Sequence, residues 1–277
     1  MLFYNYTPSS KFTYLYLINM KLYNTKTIAI SNQKGGVGKT TTAINIASFL
    51  AITETPTLLI DMDPQCNATS GLGVEIGSYK NSIYDVIIGN TKIKNSIKKT
   101  ELDFLDIIPS SAQLVGAEIE LVSMFSREKM LKDAIKKLDG KYKYIIIDSP
   151  PSLGLLTINV LTASNSIIIP IQCEYYALEG LSQLLNSIRL VQKHLNRNLE
   201  IEGVLITMYD NRLNLSKQVA EEVKEYFGEK MYNTFINRNV RLGEAPSHGK
   251  PIILYDASSS GAQNYMNLVS EILHANK

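Results

Sequence analysis

The sequence predicts an α/β fold: a single three-layer αβα domain whose mostly parallel, twisted sheet carries helices on both faces. Three observations predict it. Short β-branched runs alternate with longer amphipathic stretches; a glycine- and lysine-rich segment, KGGVGKTT at 34–41, joins the first run to the first helical pattern; and two later runs, LLID and IIID, end in aspartate. Each run has the length of a strand buried on both faces. Strands alternating with helices imply right-handed crossovers and a parallel sheet whose ligands gather at the carboxyl ends of its strands.

Residues 1–19 are rich in aromatics (Phe3, Tyr4, Tyr6, Phe12, Tyr14 and Tyr16), with Lys11 interrupting the apolar character. They lack the uninterrupted apolar core and small-residue cleavage site of a signal peptide, and are too short and polar to span a bilayer. A disordered tail or an over-long start is expected, with Met20 as the alternative first residue and one domain over 20–277. The first strand is expected at 27–30 and the first helix at 40–51. Further strands are expected at 57–61, 105–109, 144–148, 166–171 and 201–207, with helices at 112–121, 127–138, 154–163, 178–195 and 215–227. A last helix over 262–275 carries Tyr265, Met266, Leu268, Val269, Ile272 and Leu273 on a broad apolar face suited to packing on the sheet. No repeat, low-complexity tract or linker marks a domain boundary.

With 277 residues and 45% hydrophobic content, the chain can bury a substantial core. A net charge of +2 and a pI near 8.3 are too mild to announce a nucleic-acid partner, so any DNA or membrane contact must come from local clustering. Cys66 and Cys173 have neither CxxC spacing nor nearby histidines, which argues against a zinc site or a disulfide framework and suits a reducing cytoplasm.

The segment at 34–41 has the chemistry of a phosphate cradle. Gly35, Gly36 and Gly38 let the backbone bend tightly and turn N–H groups toward an anion, and the helix that follows adds its positive dipole end. Lys39 is placed to reach the β- and γ-phosphates, and the Thr40 hydroxyl to ligate Mg²⁺. The literal pattern GxxxxGK[ST] fails, because Gln33 stands at its first glycine and a second lysine, Lys34, lies inside the loop. Asp61 and Asp63 lie two apart at a strand end, where alternation points both toward the sheet's carboxyl edge; Asp148 ends another apolar strand in the Walker B manner. Singly, each acid reads as a solvated turn carboxylate. Together with the loop they read as metal and water positioning.

The chain resembles the ParA/Soj-type partition ATPases, P-loop NTPases of the deviant Walker A class that includes MinD. The resemblance is carried by KGGVGKTTTAINIA at 34–47, LLIDMDPQCNATSGLG at 58–73, IIIDSPPSLG at 145–154, QCEYYALEGL at 172–181 and RNVRLGEAPSHGKPI at 238–252, and covers nearly everything from about residue 24 onward. It implies a slow, partner-stimulated ATPase with ATP and Mg²⁺ as ligands. The nucleotide contacts it implies are Lys34, Gly35, Gly36, Val37, Gly38, Lys39, Thr40 and Thr41, with Thr41 near the α-phosphate and Met208 and Pro246 at the adenine. It makes Lys34 the signature lysine that reaches across an ATP-dependent homodimer, much as an arginine finger does. Asp63 is to orient the attacking water, while Thr40 ligates the metal and Asp61 and Asp148 serve it through its water shell.

The resemblance further implies non-specific binding of double-stranded DNA by the dimer through Arg212 and Arg241, helped by Lys217 and Lys250, and release through a ParB-like centromere-binding partner at the nucleoid. Read from the residues alone, those arginines make a solvated face, since Glu221, Glu222, Glu225 and Glu244 are interspersed. The short stretch ahead of the first strand leaves no room for an operator-reading helix-turn-helix. Cys66 stands where related proteins commonly carry glycine, which puts the loop over the nucleotide in question; a small buried hydrophobe is the expected role of the thiol. A MinD-like membrane-cycling ATPase is the alternative. It needs a basic amphipathic C-terminal helix, for which the end of this chain offers only His274 and Lys277, so no membrane contact is expected. An iron–sulfur ATPase would need a cysteine pair that Cys66 and Cys173 do not make.

Overall fold

A computed structural model describes residues 22–174 and 179–276. The segment 1–19, the alternative start at Met20, residues 175–178 of the QCEYYALEGL motif and Lys277 lie outside the described residues. The sheet comprises β1 (Lys26–Ile30), β2 (Thr57–Asp61), β3 (Lys98–Lys99), β4 (Leu105–Ile108), β5 (Tyr144–Asp148), β6 (Ser166–Gln172), β7 (Glu200–Tyr209) and β8 (Ile236–Asn237). The spatial order is β3-β4-β2-β5-β1-β6-β7-β8, and every pairing is parallel except β3 with β4. The longer helices are α1 (Lys39–Ile52), α2 (Leu114–Val122), α3 (Met130–Lys136), α4 (Leu155–Ala163), α5 (Glu179–His194), α6 (Asn214–Phe227) and α7 (Ser260–Ala275).

Side-chain alternation along the central strands feeds two separate cores. Ala29, Leu58, Ile60, Ile145, Ile147, Ile167 and Ile169 join Leu131, Leu156, Val160, Leu184 and Val223 on one face. Ile28, Ile30, Leu59, Ile146 and Ile168 join Ala43, Ile46, Leu50, Leu268 and Ile272 on the other. Successive residues of one strand thus serve opposite layers, as the three-layer reading requires. α1 is buried over most of its surface because α7 covers it from outside, so its polar residues must find partners within the fold. Thr42 and Tyr265 share a hydrogen bond of 3.0 Å, Ser48 donates to Ile44 O at 2.8 Å, and Asn45 donates to Thr41 O while accepting from Ile252 N.

Several boundaries differ from expectation. The stretch expected as one helix over 127–138 is a 3₁₀ turn, Arg127–Lys129, followed by α3. The edge strands β3 and β8 and the short helices Asn67–Gly71, Ile83–Ile87, Val240–Glu244 and Ile252–Tyr255 were not expected at all, because two to five residues carry too little periodicity to stand out. On α7, Tyr265, Leu268, Val269 and Ile272 are buried as expected, whereas Met266 faces outward.

The register fixes the site. Asp61 pairs with Asp148 across β2 and β5, and Ile30 pairs with Asp148 across β1 and β5. The last residues of these central strands therefore lie at one level of the carboxyl edge, directly below the loop 34–41.

Candidate nucleotide site

The loop after β1 is held from both flanks. Asn32 donates to Pro170 O at 2.7 Å and accepts from Lys34 N at 3.1 Å, which ties the loop's entrance to β6. At its exit Thr207 Oγ1, on β7, donates to Val37 O at 2.9 Å. Gly38 then opens α1 with φ 85°, a left-handed conformation that would strain any side chain. A backbone fixed in this way leaves the first N–H groups of α1 facing the carboxyl edge, an arrangement suited to an anion.

Lys39 is buried beneath the loop, and its ammonium donates to Lys34 O at 2.9 Å. Burial pushes its pKa down, against the opposing pull of Asp148 and Asp63. The acids themselves are unlike one another. Asp61, fully buried, accepts from Thr69 N at 2.8 Å, Thr69 Oγ1 at 2.6 Å and Asp63 N at 3.1 Å; burial pushes its pKa up to about 6. Thr69 Oγ1 also accepts from Ser110 N at 3.0 Å, so Asp61 anchors the turn after β2 to the end of β4. Asp148 is equally buried, yet neither carboxylate oxygen has a hydrogen-bond partner among the described residues, and burial and then the neighbouring Asp61 push its pKa well up. Thr40 lies close enough to favour its charged form.

A buried carboxylate left without partners is costly unless a cation completes it. The oxygen donors Asp148 and Thr40 fit Mg²⁺, which keeps several waters and takes its other ligands from phosphate. Asp61 was expected to serve the metal alongside Asp148. Its Oδ2 accepts both Thr69 bonds and its Oδ1 accepts from Asp63 N, bonds that shape the loop carrying Asp63 and are compatible with contact to a metal through its water shell. Asp63 lies past the end of β2, nearly buried, and accepts from Gln65 N at 2.9 Å.

Beside the loop opens a cleft of about 240 Å³, lined by Gly38, Thr41, Thr207, Met208, Ile236, Asn237, Arg238, Asn239, Leu242, Gly243 and Tyr265. Thr41 and Met208 were expected to touch nucleotide and both line it. Met208 holds φ 51°, an uncommon conformation for a residue with a side chain. Pro246 does not line the cleft. It sits in the 3₁₀ turn Ala245–His248, packed against the helix Asn67–Gly71, where a Cβ on Gly71 would lie 3.8 Å from Pro246 Cβ. Arg238, Asn237 and Asn239 were missed; the motif at 238–252 brought the segment to notice, but only the pairing of β8 with β7 sets these residues against the cleft.

Comparison with known proteins matches residues 25–201 to a family described as an AAA domain. Sporulation initiation inhibitor protein Soj of Bacillus subtilis is 61% identical over 247 residues, covering 89% of this chain and 98% of that one. The chain belongs to the ParA/Soj family of partition ATPases. Among solved structures, cobyrinic acid a,c-diamide synthase from Mycobacterium smegmatis with bound ADP and magnesium superposes with a TM-score of 0.80 at 34% identity, covering 90% of this chain and 94% of that one. A putative plasmid partition protein from Borrelia burgdorferi bound to AMPPNP gives 0.79 at 28% identity, covering 92% and 100%. These neighbours share the mostly parallel αβα fold found here.

Cys66, the departure from the family pattern, adopts φ 58° at the start of the helix Asn67–Gly71, which explains why glycine suits this position. The thiol is buried, donates to Pro64 O at 3.4 Å, and burial pushes its pKa up, as an inert small side chain requires. The basic residues expected to meet DNA follow the ends of β7 and β8. Arg212 is exposed but paired with Asp210, Nη2 to Oδ2 at 2.6 Å, and Arg241 is paired with Glu244 at 2.9 Å and Asp256 at 3.5 Å. Lys217 lies on the exposed side of α6, and Lys250 follows the left-handed Gly249. Gly249 crosses Gly73 so closely that a Cβ on either would lie 3.0 Å or less from the other's backbone, which links this segment to the end of the helix Asn67–Gly71. Cys66 and Cys173 are both free. Among the described residues no helix is long and apolar enough to cross a membrane.

Proposed function

We propose that this partition ATPase binds ATP and Mg²⁺ at 34–41, closes into a homodimer on ATP, binds double-stranded DNA without sequence preference as that dimer, and is released when a ParB-like partner stimulates slow hydrolysis. The observation that carries the proposal is the buried Asp148, whose oxygens have no hydrogen-bond partner among the described residues, beside Lys39 and Thr40, below a glycine-bent helix start and next to a cleft of nucleotide-base size. Lys39 and the N–H groups of the loop would hold the phosphates, with Thr41 and Met208 toward the base. Mg²⁺, held by Thr40 and Asp148, would offset charge on the phosphates. Asp63, kept in place by the Asp61–Thr69 bonds, would accept the water's proton and orient it for attack. Lys34 would reach the partner protomer's nucleotide and stabilise transition-state charge.

The basic residues after β7 and β8 support DNA binding through phosphate contacts, and pairing two protomers doubles the cations that meet one duplex. The membrane-cycling alternative finds no support in α7, whose apolar face is spent on the core under α1. Asp63→Ala tests the reading: with ATP and Mg²⁺ it should run as a stable dimer in gel filtration and retain random-sequence DNA, with phosphate release lost. A protein that stays monomeric with ATP, or that floats with liposomes instead of holding DNA, would overturn it.

A further inference from the structure

Lys34 is held in an unusual way. Its backbone is fixed on both sides, N–H to Asn32 Oδ1 and carbonyl to the Lys39 ammonium, so only its side chain is free to swing. That side chain points to Glu174, with Nζ 2.5 Å from Oε2. Glu174 in turn is placed by the end of β6, its N–H donating to Gln172 O at 2.9 Å. The pair is 37% and 48% exposed, open enough to break without rearranging the core.

We propose that Glu174 is a positioning residue for Lys34: it holds the lysine within its own protomer and so sets the protein concentration at which the ATP dimer forms. This rests on the cross-dimer role of Lys34 proposed above. One ammonium cannot sit on Glu174 and reach a nucleotide in the facing protomer, and carrying Glu174 along would bring a carboxylate toward a triphosphate. Dimer closure therefore exchanges the Glu174 contact for phosphate in each protomer, and the contact opposes closure twice. An exposed ion pair is worth about 2- to 5-fold in an equilibrium constant, so two of them amount to about 4- to 25-fold in the dimer dissociation constant.

The test compares Glu174→Gln, which keeps an amide acceptor but loses the charge, with Glu174→Asp, which keeps the charge. Sedimentation with ATP and Mg²⁺ in an Asp63→Ala background measures the dimer dissociation constant, and amine labelling of Lys34, followed by peptide mass spectrometry, reads the nucleotide-free monomer. Glu174→Gln should lower the dissociation constant by about 4- to 25-fold and speed labelling of Lys34 several-fold. Glu174→Asp should restore both toward the parent, and hydrolysis per dimer, measured in the Asp63 parent at saturating protein, should be unchanged in both. An unchanged or raised dissociation constant in Glu174→Gln, or the same shift in Glu174→Asp, overturns the proposal. If the parent itself fails to dimerise, the reading of Lys34 falls instead, and unaltered labelling in Glu174→Gln would then refute the holding role on its own.

Discussion

The centre of the sheet and its β7–β8 end treat charge in opposite ways. Under the loop, Lys39, Asp61 and Asp148 are buried, and Asp148 is left without a hydrogen-bond partner among the described residues. Beyond β7 and β8, Arg212 and Arg241 are exposed, and each is already paired with carboxylates of its own neighbourhood. A buried, incomplete charge costs stability until a ligand completes it, so that region is built for a tight and specific occupant. An exposed, paired charge costs and contributes little, so it can trade one anion for another at small expense. The difference teaches which interactions should be strong and salt-insensitive and which weak, additive and screened.

The sharpest way to break that contrast is Lys39→Ala. Removing this buried ammonium should reduce ATP affinity by about 100-fold or more, since a charge-assisted contact in a desolvated site is worth about 3 kcal/mol. Titration with a fluorescent ATP analogue measures it, and a loss of less than about 5-fold would place the phosphates elsewhere. Asp148→Asn comes next and should separate stability from function. It relieves an uncompensated buried carboxyl, so the nucleotide-free protein should gain about 0.5 to 2 kcal/mol in urea unfolding. Magnesium-dependent hydrolysis should disappear at the same time. A variant less stable than the parent would show that the carboxylate is satisfied in the nucleotide-free protein.

At the β7–β8 end the effects should be smaller and salt-dependent. Arg212→Glu and Arg241→Glu should each weaken retention of random DNA by about 10-fold at low ionic strength, and flatten the salt dependence by about one or two phosphate contacts, while ATP-driven dimerisation stays intact. Gel shifts with unrelated duplexes across a salt series decide it, and a variant that binds as the parent does would remove that residue from the interface. The smallest difference separates Met208 from Pro246. Met208→Ala should weaken ATP binding by about 3- to 10-fold through lost contact with the base, whereas Pro246→Ala should change it by less than about 2-fold, because that ring packs against the helix Asn67–Gly71.

Much of this is legible in the sequence. A loop of three glycines and two lysines between a β-branched run and a helix has few other uses, and apolar runs that end in aspartate put acid where parallel sheets bind ligands. The alternation of runs likewise carried the layer order, because parallel strands buried on both faces must be continuous apolar segments. The edge strands β3 and β8 escaped notice, since two residues cannot show a period. So did Arg238 and its neighbours, which gain meaning only when β8 pairs with β7 and turns them onto the cleft.

Residue types and their spacing along one strand or loop are local properties, and they sufficed to name the fold class and to point to a phosphate cradle with acids around it. The division of labour among those acids was not local. Asp61 and Asp148 end their strands alike, yet Asp61 is claimed by Thr69, which ties it to the end of β4, whereas the Asp148 oxygens have no hydrogen-bond partner among the described residues. The same holds for Lys34 and Glu174, 140 residues apart and joined only because β6 lies beside β1. A hydrogen bond depends on distance in space, so which carboxylate is satisfied and which is left without a partner is decided by packing rather than by order along the chain.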